Sequence, residues 1–157
     1  MEIKGVLYED FVNYKKPSML VMFPKCTFKC DKECGSPVCQ NSALAQGATI
    51  VVSADHLMEV YMANPFTSAI VCGGLEPMDS FDYLLNFVHI IRKYTEDDIV
   101  IYTGYNEDEV KEIVYQLKQY SNIYIKFGRF IPGHTSHYDE VLGVKLASDN
   151  QYGKKVS

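Results

Sequence analysis

The chain has 157 residues, 47% hydrophobic and 22% charged, a composition that fits one folded domain spanning residues 1–157 and excludes a disordered segment. Its 20 Asp and Glu outnumber 15 Lys and Arg, for a formal net charge of −5, the opposite of the basic footprint that a nucleic-acid partner draws. No apolar run reaches the roughly 18 residues of a membrane span, and the length falls well short of the about 250 residues of a closed eight-stranded β/α barrel.

Ile3 to Tyr8 reads as a first strand, and Met19 to Phe23 as a second, a continuous apolar run of the kind buried on both faces. That run leads into Pro24 and a cysteine-rich loop over residues 24–41. Ser53 is placed to cap a helix from Ala54, with Leu57, Met58 and Tyr61 at helical spacing and Asn64-Pro65 as its stop. Ser68 to Cys72 is another buried strand, ended by Gly73-Gly74. Asp79 or Ser80 then caps a helix whose apolar stripe is Leu84, Leu85, Val88 and Ile91. Ile99 to Tyr102 follows as a strand, broken by Thr103-Gly104. Asn106 caps a helix that turns Val110, Ile113, Val114 and Leu117 inward, and Ile123 to Phe127 is the next strand. Beyond Gly128 the periodicity fades into loop, with one short strand expected around Val141–Leu146.

Strands alternating with helices at this spacing predict an α/β fold with a mostly parallel sheet. In such a sheet the C-terminal ends of the strands share one edge, and ligands bind there. The polar and glycine-rich segments PKCTFKC, GGLEP, TGY and FGRF each follow a strand directly, so topology alone brings them together.

Four of the five cysteines, Cys26, Cys30, Cys34 and Cys39, fall in the loop after the second strand; Cys72 ends a buried strand and reads as core. The N-terminal MEIKGVLYED has no cationic segment ahead of an apolar stretch, so a cytoplasmic, reducing setting is expected. There, clustered thiols point to metal rather than to disulfides. Structural zinc sites usually pair cysteines as C-x₂-C, whereas this run is C-x₃-C-x₃-C-x₄-C. Wider, unequal gaps suit a loop strung over several irons. On spacing alone, an iron–sulfur cluster and a zinc-binding interaction domain both stand.

The run from Cys26 to Asn41, with Gly73-Gly74-Leu75-Glu76-Pro77 and Tyr102-Thr103-Gly104-Tyr105, resembles the radical S-adenosylmethionine family. Within it, the short length, the Thr-Gly-Tyr turn and Ser148-Asp149-Asn150-Gln151 are most similar to the activating proteins of anaerobic ribonucleotide reductase. The resemblance spans Met19 to Gln151 and implies an incomplete barrel of βα units. It further implies a [4Fe–4S] cluster held by three thiolates, with S-adenosylmethionine on the remaining iron. Cys26 and Cys30 match the first two ligands of the family's C-x₃-C-x₂-C. For the third, Cys34 keeps the spacing within one residue. Cys39 is favoured because Val38-Cys39-Gln40-Asn41 matches the motif's ending, which makes Asp31 to Pro37 an insertion.

The resemblance also assigns cofactor contacts to Gly73, Gly74, Glu76, Asn41, Thr103 and Gly104, with Leu75 an extra residue in the family's glycine-glycine-acid-proline turn. Catalysis then needs no group beyond the cluster ligands, and the implied partners are a glycyl-radical reductase and a low-potential donor such as flavodoxin or ferredoxin. The rivals within the family are activation of another glycyl-radical enzyme and radical chemistry on a small molecule. Phe28 and Val38 are candidates to pack near the cluster or the adenine. Tyr105 and the stretch 129–138 are candidates to dock a partner. His134 and His137, in a polar loop, read as exposed loop residues rather than metal ligands.

Overall fold

A computed structural model describes residues 1–157. Six strands form one open sheet. Its centre is β3 (Ser18–Phe23), β5 (Ala69–Gly74), β6 (Asp98–Tyr102) and β7 (Ile123–Phe127), all parallel. The first three are continuous apolar runs buried on both faces, which is why they lack alternation, whereas β7 alternates, with Ile123, Ile125 and Phe127 between Tyr124 and Lys126. The edges are antiparallel: β2 (Gly5–Asp10) on β3, and β10 (Tyr152–Lys155) on β7. The sheet does not close, because its two edges do not pair with each other.

The first strand signal is divided at Lys4. β1 (Glu2–Ile3) leaves the main sheet to pair with β4 (Ile50–Val51), while β2 stays in it. Three helices connect the parallel strands: α3 (Ala54–Ala63), α4 (Phe81–Tyr94) and α5 (Lys111–Leu117). Two shorter ones, α1 (Lys29–Cys34) and α2 (Ser42–Gln46), lie in and after the cysteine loop. Ser53 caps α3 as expected, accepting the His56 N–H. Two helix starts differ from the sequence reading. Ser80 stands at the N-cap of α4 without a side-chain bond and Asp79 caps nothing; Glu76 instead accepts the Met78 N–H at the head of a 3₁₀ turn, Pro77–Ser80, that precedes α4. Asn106 caps, through a reciprocal box with Glu109, a 3₁₀ turn over Glu107–Glu109, and α5 begins only at Lys111, with Val110 at its N-cap. The buried stripe of α4 is Leu84, Phe87, Val88 and Ile91, so Phe87 takes the place expected of Leu85.

The helices cover one face of the sheet over a core of 23 residues, among them Val21, Phe23, Ile70, Cys72, Ile99, Ile101, Ile125 and Phe127. The other face carries seven, where Leu20, Val71 and Val100 meet Tyr14, Leu142 and Leu146. Leu142 and Leu146 belong to a hairpin, β8 (His137–Asp139) and β9 (Val144–Leu146), in the region read from sequence as loop with a single strand. No helix is long and apolar enough to cross a membrane.

Candidate metal centre

The sheet edge builds the site because every chain segment leaving it is tied to its neighbour. Leu75 N–H donates to Phe23 O at 3.4 Å and Glu76 N–H to Lys25 O at 2.8 Å. The extra residue Leu75 is thereby absorbed, continuing the β5 ladder alongside the chain entering the cysteine loop. Thr103 N–H donates to Lys126 O at 2.9 Å, and Gly128 N–H to Tyr105 O at 3.0 Å. The four turns are thereby joined in two pairs.

A cavity of 430 Å³ opens on this edge, of the size of a small-molecule site. Cys26, Cys30 and Cys39 line it together with Asn41, Gly73, Gly74, Glu76, Thr103 and Gly104. Cys34 does not line it; it ends α1 and is exposed. The three thiols share this lining, although no three metal-ligating side chains converge on one point; on a cube each sulfur takes a different iron. The Cys26 sulfur accepts the Phe28 N–H at 3.2 Å. Such bonds are the usual support of ligating sulfurs. Gly104 lies beside the Cys30 thiol: a Cβ there would stand 3.8 Å from its sulfur, in ordinary contact. Burial pushes the Cys26 thiol up to about 11 and raises that of Cys30, so metal must displace protons to bind. The residues present fit a thiolate-held cluster.

Glu76 is 6% exposed, and burial pushes its carboxyl up to about 7. One oxygen accepts the Gly104 N–H at 2.8 Å and the other the Met78 N–H at 3.1 Å. It thus clamps the GGLEP turn to the TGY turn, and its carboxylate is engaged inside the protein. Asn41 donates to Gly74 O at 2.7 Å, joining the end of the cysteine loop to β5. Gly74 holds φ +82°, and a Cβ there would lie 2.8 Å from the Met22 backbone.

Sequence reasoning missed Lys126. It is 7% exposed, lines the cavity and donates to Gly128 O at 2.7 Å; burial pushes its ammonium down to about 8. An isolated lysine in a strand carries no local signal of this role. Asp79 was also missed as a linker: it accepts the Thr27 N–H at 2.7 Å and the Tyr105 hydroxyl at 2.6 Å. Tyr105 is consequently held in place, with Lys29 4.4 Å from its ring centroid and Arg129 5.9 Å away. Phe28 and Val38 lie outside the cavity lining, whereas Phe130 and Gln151 belong to it. His134 pairs with Asp149 at 2.7 Å, and His137 lies 2.7 Å from Gln151 O, so both pin the polar loop to the segment that follows β9.

An α/β sheet with three loop thiols around a cavity at its C-terminal edge defines a protein built to hold a metal cluster. Residues 17–151 match the model of a family described as a 4Fe-4S single cluster domain. That match covers most of the chain, which belongs to this family, and its metal group is a [4Fe–4S] cluster. No curated protein and no solved structure matches the chain.

Proposed function

We propose that this protein is a radical S-adenosylmethionine enzyme that activates anaerobic ribonucleotide reductase by generating a glycyl radical. The observation that carries the reading is the sharing of one cavity by three thiols of a single loop and the Gly73-Gly74 turn. Cys26, Cys30 and Cys39 would hold the cluster and leave one iron without a ligand from this chain. When bound, the cluster supplies the low-potential electron that cleaves the cofactor's sulfonium C–S bond, giving methionine and a 5′-deoxyadenosyl radical.

The chain's own residues suit the rest of that cofactor. Its methionine end is a zwitterion, and the cavity offers a group for each charge. The Gly74 carbonyl, which accepts from Asn41, has a second lone pair that would take an ammonium group, and the Lys126 ammonium would complement a carboxylate. Leu20, Val71 and Leu146 line the remainder with apolar surface, which excludes water from a reactive radical. The open sheet leaves room for a polypeptide loop, and glycine suits hydrogen removal from a backbone Cα because it lacks a Cβ.

The test is anaerobic reconstitution, reduction by dithionite and chromatography for 5′-deoxyadenosine. Mixing with anaerobic ribonucleotide reductase should then give a carbon-centred doublet in electron paramagnetic resonance, altered by deuteration of the target glycine at Cα. Cofactor cleavage without that doublet would move the reading to another glycyl-radical enzyme or a small-molecule substrate. An intact reduced cluster that releases no 5′-deoxyadenosine would overturn it.

A further inference from the structure

The loop carries four cysteines within fourteen positions, and a mechanism that needs an open iron must keep one of them away. Cys30 and Cys34 sit four residues apart on α1, one turn and about 6 Å along the helix axis. Cys34 could therefore compete for the cluster if the loop shifted. Gly35, with φ +68°, ends α1 in the left-handed region and reverses the chain. The returning strand is then caught at one atom. The N–H groups of Val38 and Cys39 both donate to Asp31 Oδ1 at 2.8 Å. No other hydrogen bond holds the backbone from Ser36 to Gln40.

We propose that Asp31 selects the third cluster ligand: it is a positioning residue that brings Cys39 to the cavity and leaves Cys34 outside. Asp31 is the neighbour of Cys30, so its carboxylate tethers the third thiol to the helix that presents the second. The extra residues between Cys30 and Cys39 are folded away as the last turn of α1 and a reversal, and Cys39 recovers the place that a shorter motif would give it. The inference rests on Cys26, Cys30 and Cys39 holding the cluster.

The experiment compares the full chain with Cys34→Ser, Asp31→Ala, Asp31→Asn and the double variant Asp31→Ala/Cys34→Ser. After anaerobic reconstitution, iron and sulfide per chain are measured, with the rate of iron loss to a chelator and the spectrum of the reduced cluster. Wild type, Cys34→Ser and Asp31→Asn, which keeps an acceptor oxygen, should agree. Asp31→Ala should lose iron about tenfold faster or more, with an altered spectrum, and the cluster that remains should vanish in the double variant. In the iron-free wild type, amide exchange by mass spectrometry should be slow at Val38 and Cys39 and fast at Ser36, a readout that needs no variant to fold.

Equal retention in Asp31→Ala and wild type would overturn the proposal. So would loss in Asp31→Asn as severe as in Asp31→Ala, iron loss from Cys34→Ser alone, or fast exchange at both amides. A wild type that takes up no iron would remove the ligand assignment itself, and the role of Asp31 with it.

Discussion

Replacing Glu76 with alanine should unfasten the two glycine turns from each other. Its carboxylate accepts N–H groups from Gly104 and Met78 at 2.8 and 3.1 Å, in a place only 6% exposed. The buried Met78 amide is left without an acceptor, at about 1–3 kcal/mol, whereas the Gly104 amide borders the cavity and can be taken over by water. Glu76→Ala should therefore destabilise the chain by about 1–3 kcal/mol, a sizeable share of the roughly 5–15 kcal/mol that holds a domain. Glu76→Gln keeps one acceptor oxygen but turns its NH₂ toward the other amide, so it should lose about half as much. The assay is urea unfolding of the iron-free chain, followed by circular dichroism. The 23-residue core contains nothing from the loop 24–41, so a cooperative transition does not depend on iron. A shifted midpoint with an unchanged slope reports stability alone, and amide exchange at Gly104 and Met78 should rise in parallel. A loss below about 1 kcal/mol with unaltered exchange at both amides would refute the reasoning.

Gly74→Ala must hold a left-handed φ and push a methyl group into the Met22 backbone, so it should cost about 2–4 kcal/mol in thermal unfolding. At Gly73 the nearest atom to an added methyl is a Leu20 side-chain carbon at 3.4 Å, and Gly73→Ala should leave the melting temperature nearly unchanged. The Arg129 guanidinium holds the Glu109 carboxyl at about 2, below its ordinary 4.5. The unfolded chain therefore takes up that proton first. The contribution is whole above pH 4.5 and is lost as pH falls toward 2. Glu109→Gln should flatten the acid limb of the stability curve by on the order of 1 kcal/mol, after discount for exposure to solvent. Leu142→Ala should cost about 2–3 kcal/mol and open residues 137–146 to limited proteolysis, since Leu142 is fully buried and anchors the hairpin to the sheet.

The parallel strands were legible because their signal is local. Met19–Phe23 and Ile99–Tyr102 are apolar without alternation, and a strand buried on both faces has no polar side to show. The convergence of PKCTFKC, GGLEP, TGY and FGRF followed from the chirality and order of βα units. What escaped depends on distant pairing. Tyr152–Lys155 is polar and carries two lysines, and it is a strand because β7 offers an unpaired edge thirty residues earlier. The hairpin at 137–146 packs against Leu20, Val71 and Val100, residues that give no hint of it in its own sequence. Asp79 has the chemistry of a helix cap, yet Thr27 and Tyr105 claim both oxygens from 52 and 26 residues away. Asp31 was hidden for a similar reason, because its partners lie seven and eight positions downstream across a reversal.

The unequal covering of the sheet has a consequence for how such a chain can diversify. Most of the buried apolar surface lies under the helices, and the cavity face has seven core residues closed over by a hairpin. Most of the folding free energy and the shape of the opening are thus vested in different side chains. Substitutions at Val12, Lys145 or Ala147, which border the cavity and belong to neither core, can reshape what enters while leaving the scaffold intact. Selection on the width of the entrance and selection on persistence of the fold can proceed independently, on opposite sides of the same four strands.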